Sequence, residues 1–215
     1  DPRLGLLNDL HLRFLSAKTL GSLIEVPAEQ VQQIDELCAV LHTLSISGDA
    51  MQKPAAKELL PLLAQASVLA KRYDVVIANP PYMGSKFHIP EVKDYLKTHF
   101  KGYEKDLFSA FIVRNLDLAK PRGQLGFMTP FVWMFISSYE QLRNYIINEK
   151  TITSLIQLEY SGFDGATVPI CTFTLENAYN PNFKGGYVRL SDFRGADQQG
   201  PRALEIIQAA NAVGK

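Results

Sequence analysis

The sequence predicts an α/β protein: a doubly wound sheet preceded by a helical region. From Tyr73 onward, strand-like and helix-like stretches alternate, which is the rhythm of a sheet flanked by helices. The last two well-marked strands follow one another without a helix between them, which predicts an antiparallel hairpin. Upstream of Tyr73, apolar residues recur mainly at helical spacing and carry no motif.

Taken in order, Leu10, Leu12 and Phe14 alternate with His11 and Arg13, predicting a short half-buried strand over 10–14. Val31, Ile34, Leu37, Cys38 and Leu41 lie at helical spacing and predict a helix over 28–43, broken by Ser45-Ile46-Ser47-Gly48-Asp49. Pro54 opens a second helix, rich in Ala and Leu, that reaches Arg72 and is kinked or divided at Pro61. Residues 1–72 therefore read as an upstream strand with a helical insertion or linker. A strand follows at 74–78, then helices near 90–98 and at 105–119, where Phe108, Ile112 and Leu116 share a face. Pro121-Arg122-Gly123 reads as a turn into a strand over 124–128. Ser137-x-x-Glu140 has capping-box spacing and opens a helix through Asn148. Strands are expected near 152–159, 170–176 and 186–190, so the sheet region spans 73–190. The tail, 191–215, reads as the start of a further unit, with a helix over 203–212.

Bulk properties exclude several classes. Lys plus Arg equals Asp plus Glu, at 22 each, so there is no global basic footprint of a stand-alone nucleic-acid binder. No run approaches the roughly 20 apolar residues of a membrane span, and nothing at the start resembles a secretion signal. Cys38 and Cys171 are too few for a disulfide framework and fit a reducing cytoplasm. His11, His42, His88 and His99 show no metal-ligand spacing, so no metal is expected. Lysines gather locally after residue 85, at Lys86, Lys93, Lys97, Lys101 and Lys105, partly offset by Glu91, Asp94 and Glu104. Both a solvated helix face and a set of phosphate contacts fit that pattern.

The chemistry concentrates at Asn79-Pro80-Pro81-Tyr82, directly after the strand Asp74–Ala78. Open α/β sheets place ligand sites at the carboxyl ends of their strands. Each proline fixes its own φ and pushes the preceding residue out of the helical region, so Asn79 and Pro80 are held extended. A stiff corner then presents a carboxamide, a carbonyl and an aromatic ring. The Asn79 side-chain oxygen and the Pro80 carbonyl can each accept one hydrogen of an NH₂ group, and Tyr82 can stack on the ring that carries it. The competing interpretation is a plain strand-ending turn, in which Asn and Pro are common.

Asn79-Pro80-Pro81-Tyr82 with Met83-Gly84-Ser85-Lys86 resembles the catalytic motif of S-adenosylmethionine-dependent amino-group methyltransferases, above all adenine-specific DNA methyltransferases. The similarity is to the large enzymes of restriction-modification and phage-exclusion systems, including the phage growth limitation type. It continues through Asp106–Phe111, Leu118–Phe127, Trp133-Met134-Phe135, Tyr139–Arg143 and the segment around Phe163. The resemblance implies the C-terminal half of a Rossmann-like methyltransferase sheet, with S-adenosylmethionine as cofactor and double-stranded DNA as partner. Other defence-system subunits are further partners it implies. Asn79, Pro80, Pro81 and Tyr82 would be catalytic, Phe163 and Lys86 would meet the substrate, and Phe111 and Asp106 the cofactor. For Phe111 a core position, and for Asp106 a helix cap, are the alternatives. The tail would begin a target-recognition region. Only Gly5, Gly21 and Gly48 occur before Tyr73, each isolated, so the glycine-bearing cofactor loop is expected elsewhere and this stretch alone is expected to be inactive. Two other functions remain open: methylation of a protein glutamine, whose carboxamide poses the same problem, and a non-catalytic DNA- or partner-binding module.

Overall fold

The computed structural model describes residues 2–160 and 168–212, which fall into two compact units divided between Arg72 and Tyr73. The first is entirely helical: α1 (Pro2–Phe14), a short α2 (Ala17–Leu20), α3 (Val31–Ser47) and α4 (Gln52–Ala70). The strand expected over 10–14 is instead the end of α1. Leu6 and Leu10 are buried one helical turn apart, whereas Leu12 is 66% exposed. An i, i+4 stripe also selects alternate positions, so a short stretch of it mimics a strand.

Helix α3 buries Ile34, Leu37 and Leu41, as the spacing predicts, but continues to Ser47. The Ser45 and Ser47 hydroxyls donate back to the carbonyls of His42 and Thr43, so the serines do not interrupt it. Gly48 ends it. Before α4, Asp49 Oδ1 accepts from the N–H groups of Met51 and Gln52, and the Gln52 side chain accepts from the Asp49 N–H. This reciprocal pair starts the helix. Pro61 lies inside α4 without dividing it. An interior proline costs about 3 kcal/mol; burial of Ala56, Leu63, Ala66 and Ala70 on one face offsets that.

The second unit contains β1 (Tyr73–Ala78), α5 (Pro90–His99), α6 (Leu107–Leu118), β2 (Ala119–Pro130), α7 (Glu140–Glu149), β3 (Thr151–Gln157), β4 (Ile170–Glu176), β5 (Gly186–Arg189) and α8 (Ala196–Ala212). The sheet order is β1-β2-β4-β3-β5. Strands β1 and β2 pair in parallel, as do β3 and β5, while β4 runs antiparallel to both β2 and β3. The hairpin β3–β4 thus forms as expected, with β4 inserted in the middle of an otherwise parallel sheet. One sheet face carries Leu125, Phe127, Leu155, Cys171, Phe173 and Leu175, covered by Phe108, Ile112 and Leu116 of α6 and by Leu142 and Ile146 of α7. On the other face, at the carboxyl rim, Leu158, Ile170 and Leu190 pack with Met128, Ile156 and the α8 residues Ala203 and Ile206.

Three local expectations change. Strand β1 buries one face only: Val76 and Ala78 pack inward while Val75 and Ile77 are 58% and 81% exposed. The turn Pro121–Gly123 is an excursion within a longer β2: Tyr73 pairs with Ala119, and Val75 then pairs with Gln124. Arg122 there adopts φ 63°, and a Cβ at Gly123 would lie 2.9 Å from the Lys120 carbonyl. Finally, no side-chain cap forms ahead of α7. A 3-10 turn over Ser137–Tyr139 leads in instead, held by Arg143 Nη1 donating to the carbonyls of Trp133 (2.8 Å) and Ile136 (2.6 Å).

Among the described residues no helix is long and apolar enough to cross a membrane. None of their His, Cys, Asp and Glu side chains cluster as a metal site either. Asn177 ties the end of α6 to the start of β2: its Nδ2 donates to the carbonyls of Leu116, Ala119 and Lys120 at 3.1–3.2 Å. Its backbone exchanges hydrogen bonds with Arg122 and Gly123. Asn177→Ala is expected to cost about 1–3 kcal/mol, because it strands these carbonyls. Urea unfolding of both proteins checks this.

Candidate active site at the carboxyl end of β1

Strand β1 stops at Ala78, and the stiff tetrapeptide leaves the sheet at its carboxyl rim. Asn79 is exposed, Pro80 is buried, Pro81 is exposed and Tyr82 is half-buried. The Tyr82 ring lodges against both core clusters, where the two faces of the sheet meet the rim. Its hydroxyl donates to Asn79 Oδ1 at 2.8 Å and also lies 3.1 Å from the Met128 carbonyl on β2. One hydrogen faces two acceptors, so the tyrosine tethers the carboxamide to the neighbouring strand with its oxygen turned toward the ring. Burial pushes the Tyr82 phenol above its ordinary value, so at neutral pH it remains a donor. A carboxamide oxygen has a second lone pair, and no described residue donates to the Pro80 carbonyl. The corner therefore offers acceptor capacity at both positions.

The chain leaving the corner is clasped by the start of α6. Asp106 Oδ1 accepts from the Met83 N–H at 2.9 Å and the Phe108 N–H at 3.3 Å, capping the helix and gripping the loop at once. The Leu107 N–H donates to the Met83 carbonyl, and the Ser85 N–H to the Lys105 carbonyl. His88 Nε2 lies 2.7 Å from the Met83 carbonyl, so that ring also serves the loop. Burial raises the Asp106 carboxyl above its ordinary value, opposed by the backbone donors of Phe108 and Met83 and by nearby His88.

Phe111 sits one turn into α6 and is half-buried, outside the main core cluster that takes Phe108 and Ile112. Lys86 is exposed, its ammonium 4.7 Å from the centre of the Phe87 ring. Phe163 lies outside the described residues. Trp133 is buried in the core, whereas Phe135 is 67% exposed. Sequence spacing marks the tetrapeptide and the Asp106 cap. It has no signal for the second bond of Asp106 to Met83, which spans 23 positions, or for the Met128 carbonyl beneath Tyr82.

Residues 25–163 match the model of the Eco57I restriction-modification methylase family. The chain belongs to this family. The matched stretch includes α3 and α4, so those helices are part of the family pattern along with β1, β2 and β3. Over 182 residues the chain is 38% identical to the adenine-specific methyltransferase BrxX of Escherichia coli O9:H4 (strain HS), covering 83% of this chain and 15% of that protein. It is 27% identical over 216 residues to the adenine-specific methyltransferase PglX of Lacticaseibacillus casei (strain Zhang), covering 96% and 18%. A third relative, the type II restriction enzyme and methyltransferase RM.Eco57I of Escherichia coli, is 27% identical over 130 residues, covering 57% and 13%. The chain spans less than a fifth of the length of each of these relatives.

The clasp gives a pH-dependent expectation. A carboxyl whose folded value is raised contributes stability below its unfolded value, and that contribution fades as pH rises through the folded value. Asp106→Asn keeps an acceptor for the cap and removes the half-buried charge. Its stability relative to the unaltered protein should be most favourable near neutral pH and should fall off in acid. Asp106→Ala should lose about 1 kcal/mol at neutral pH. Urea midpoints measured across pH 3–8 for the three proteins distinguish these outcomes.

Proposed function

We propose that this site transfers a methyl group from S-adenosylmethionine to the exocyclic amine of an adenine flipped out of DNA. The observation that carries the proposal is the pair of acceptors at Asn79 and Pro80, fixed at a strand end beside the Tyr82 ring. Family membership supports it, as do relatives named adenine-specific methyltransferases.

An adenine amine is a poor nucleophile because its lone pair is delocalised into the ring. Asn79 Oδ1 and the Pro80 carbonyl accept its hydrogens, raise electron density on nitrogen and aim the lone pair out of the base plane. Preorganised dipoles stabilise the positive charge that develops there without reorganising. Pro81 contributes stiffness, and positioning of this kind can supply several kcal/mol without a strong base. A base inside a duplex is out of reach, so it must be extruded. Tyr82 stacks on one of its faces, worth ~1–3 kcal/mol; Phe163 remains the candidate for the other face by resemblance.

When bound, S-adenosylmethionine supplies an electrophilic methyl group. Of this chain's residues, Phe111 fits one edge of it, as a half-buried aromatic on α6 that the core does not claim. Asp106 Oδ1 is committed to two backbone donors, which leaves the carboxylate a positioning role beside that edge. Lys86, exposed on the loop beyond Tyr82, suits a phosphate contact. The resemblance to restriction-modification enzymes supports a bacterial or archaeal cytoplasm as the setting, with other defence-system subunits as candidate partners.

In the full-length protein, Asn79→Ala is expected to lower single-turnover methylation of DNA about a hundredfold or more while DNA binding persists. Tyr82→Phe should retain the stack but release the Asn79 tether, giving an intermediate rate, and Tyr82→Ala should fall further. Labelled cofactor offered with duplex DNA or with protein substrates supplies the readout. Label found only in protein, or equal rates for all variants, contradicts the proposal.

A further inference from the structure

We propose that Phe87 is the side chain that enters the DNA duplex at the gap left by the extruded base, with Lys86 taking the adjacent phosphate. This rests on the DNA methyltransferase proposal above. Phe87 is 66% exposed, on a turn five positions beyond Tyr82. A lone exposed apolar residue is ordinary; its mounting here is not.

The 3-10 turn Ser85–Phe87 is braced from several sides. The Phe87 N–H donates to the Gly84 carbonyl at 2.9 Å, the Ser85 N–H is held by the Lys105 carbonyl, and Met83 is gripped by Asp106 and His88. A rigid support thus holds a large ring out in solvent. Its apolar neighbours Met83 and Ile89 are 42% and 52% exposed. The Lys86 ammonium covers one ring face, 4.7 Å from its centre, a contact that a phosphate can replace.

The segment after the corner carries an excess of lysine over Glu91, Asp94 and Glu104, which suits nucleic acid. Lys86, Lys93, Lys97, Lys101 and Lys105 are all exposed, and none forms an ion pair with a described residue. Extruding a base leaves its former partner and the flanking pairs without a stacking surface. Other DNA-deforming proteins insert apolar side chains between base steps, and an aromatic ring there offers a stacking surface. An aromatic ring on a braced turn, next to the corner that receives the base, has the shape and chemistry for this.

The test uses the full-length protein and two duplexes carrying the site it methylates, one with the target adenine paired and one with it mismatched. Phe87→Ala should slow methylation of the paired duplex at least about tenfold. It should also reduce the fluorescence rise of 2-aminopurine at the target position. On the mismatched duplex, where extrusion is already cheap, the rate should stay within about threefold of the unaltered protein, and Phe87→Trp should keep the rate on the paired duplex close to that of the unaltered protein. An unchanged rate on the paired duplex overturns the proposal, as does equal slowing on both, which marks a fault in folding or chemistry. Normal methylation with loss of a copurifying subunit would make the turn a protein-docking knob and also overturn it. If the unaltered protein methylates no DNA, the parent proposal falls and takes the wedge with it.

Discussion

The hydrogen bond from Tyr82 to Asn79 is the interaction on which the site turns. Two prolines remove most of the backbone freedom between these residues, so the hydroxyl meets the carboxamide across a short stiff span. A carboxamide on a free strand end would rotate and present its NH₂ as often as its oxygen. Here the tyrosine fixes the oxygen as acceptor, and the Met128 carbonyl ties the tyrosine to the adjacent strand. The acceptor pair is thereby referenced to the sheet rather than to a loop, and that sheet is anchored by a core cluster on one face.

The same rim explains why the neighbouring carboxylate is costly and still useful. Asp106 is half-buried with its carboxyl raised by desolvation, yet it satisfies two backbone donors that would otherwise be stranded, one of them at the start of α6. Without it, the corner would be anchored at its strand end only. With it, the chain on both sides of Tyr82 is held, by β1 before and by α6 after.

Much of this was legible in the sequence, for identifiable reasons. Helices α3 and α6 declare themselves through apolar spacing that becomes their buried face, and the tetrapeptide through stiffness that any chain containing it must have. What stayed hidden depends on contacts between distant residues. Leu10–Phe14 reads as a strand until Leu6 is known to share its buried face. Ser137 and Glu140 have the right spacing for a cap, but Arg143 captures the carbonyls that fix the helix entry. Asp106 looks like an ordinary cap because nothing local points to Met83. Val75, Val76, Ile77 and Ala78 are apolar without a break, so no alternation in the sequence separates the exposed Val75 and Ile77 from the residues that pack inward.

Burial along the corner divides its residues by role. Pro80 is buried and Tyr82 is half-buried against β2, where the Met128 carbonyl supports it, whereas Asn79 and Pro81 are exposed. The rigid elements, the prolines and the Asp106 clasp, lie along the backbone, while Asn79 and the following turn reach outward. Support from behind and openness in front are what a site needs if it must admit a flat base edge-first and then hold it without yielding.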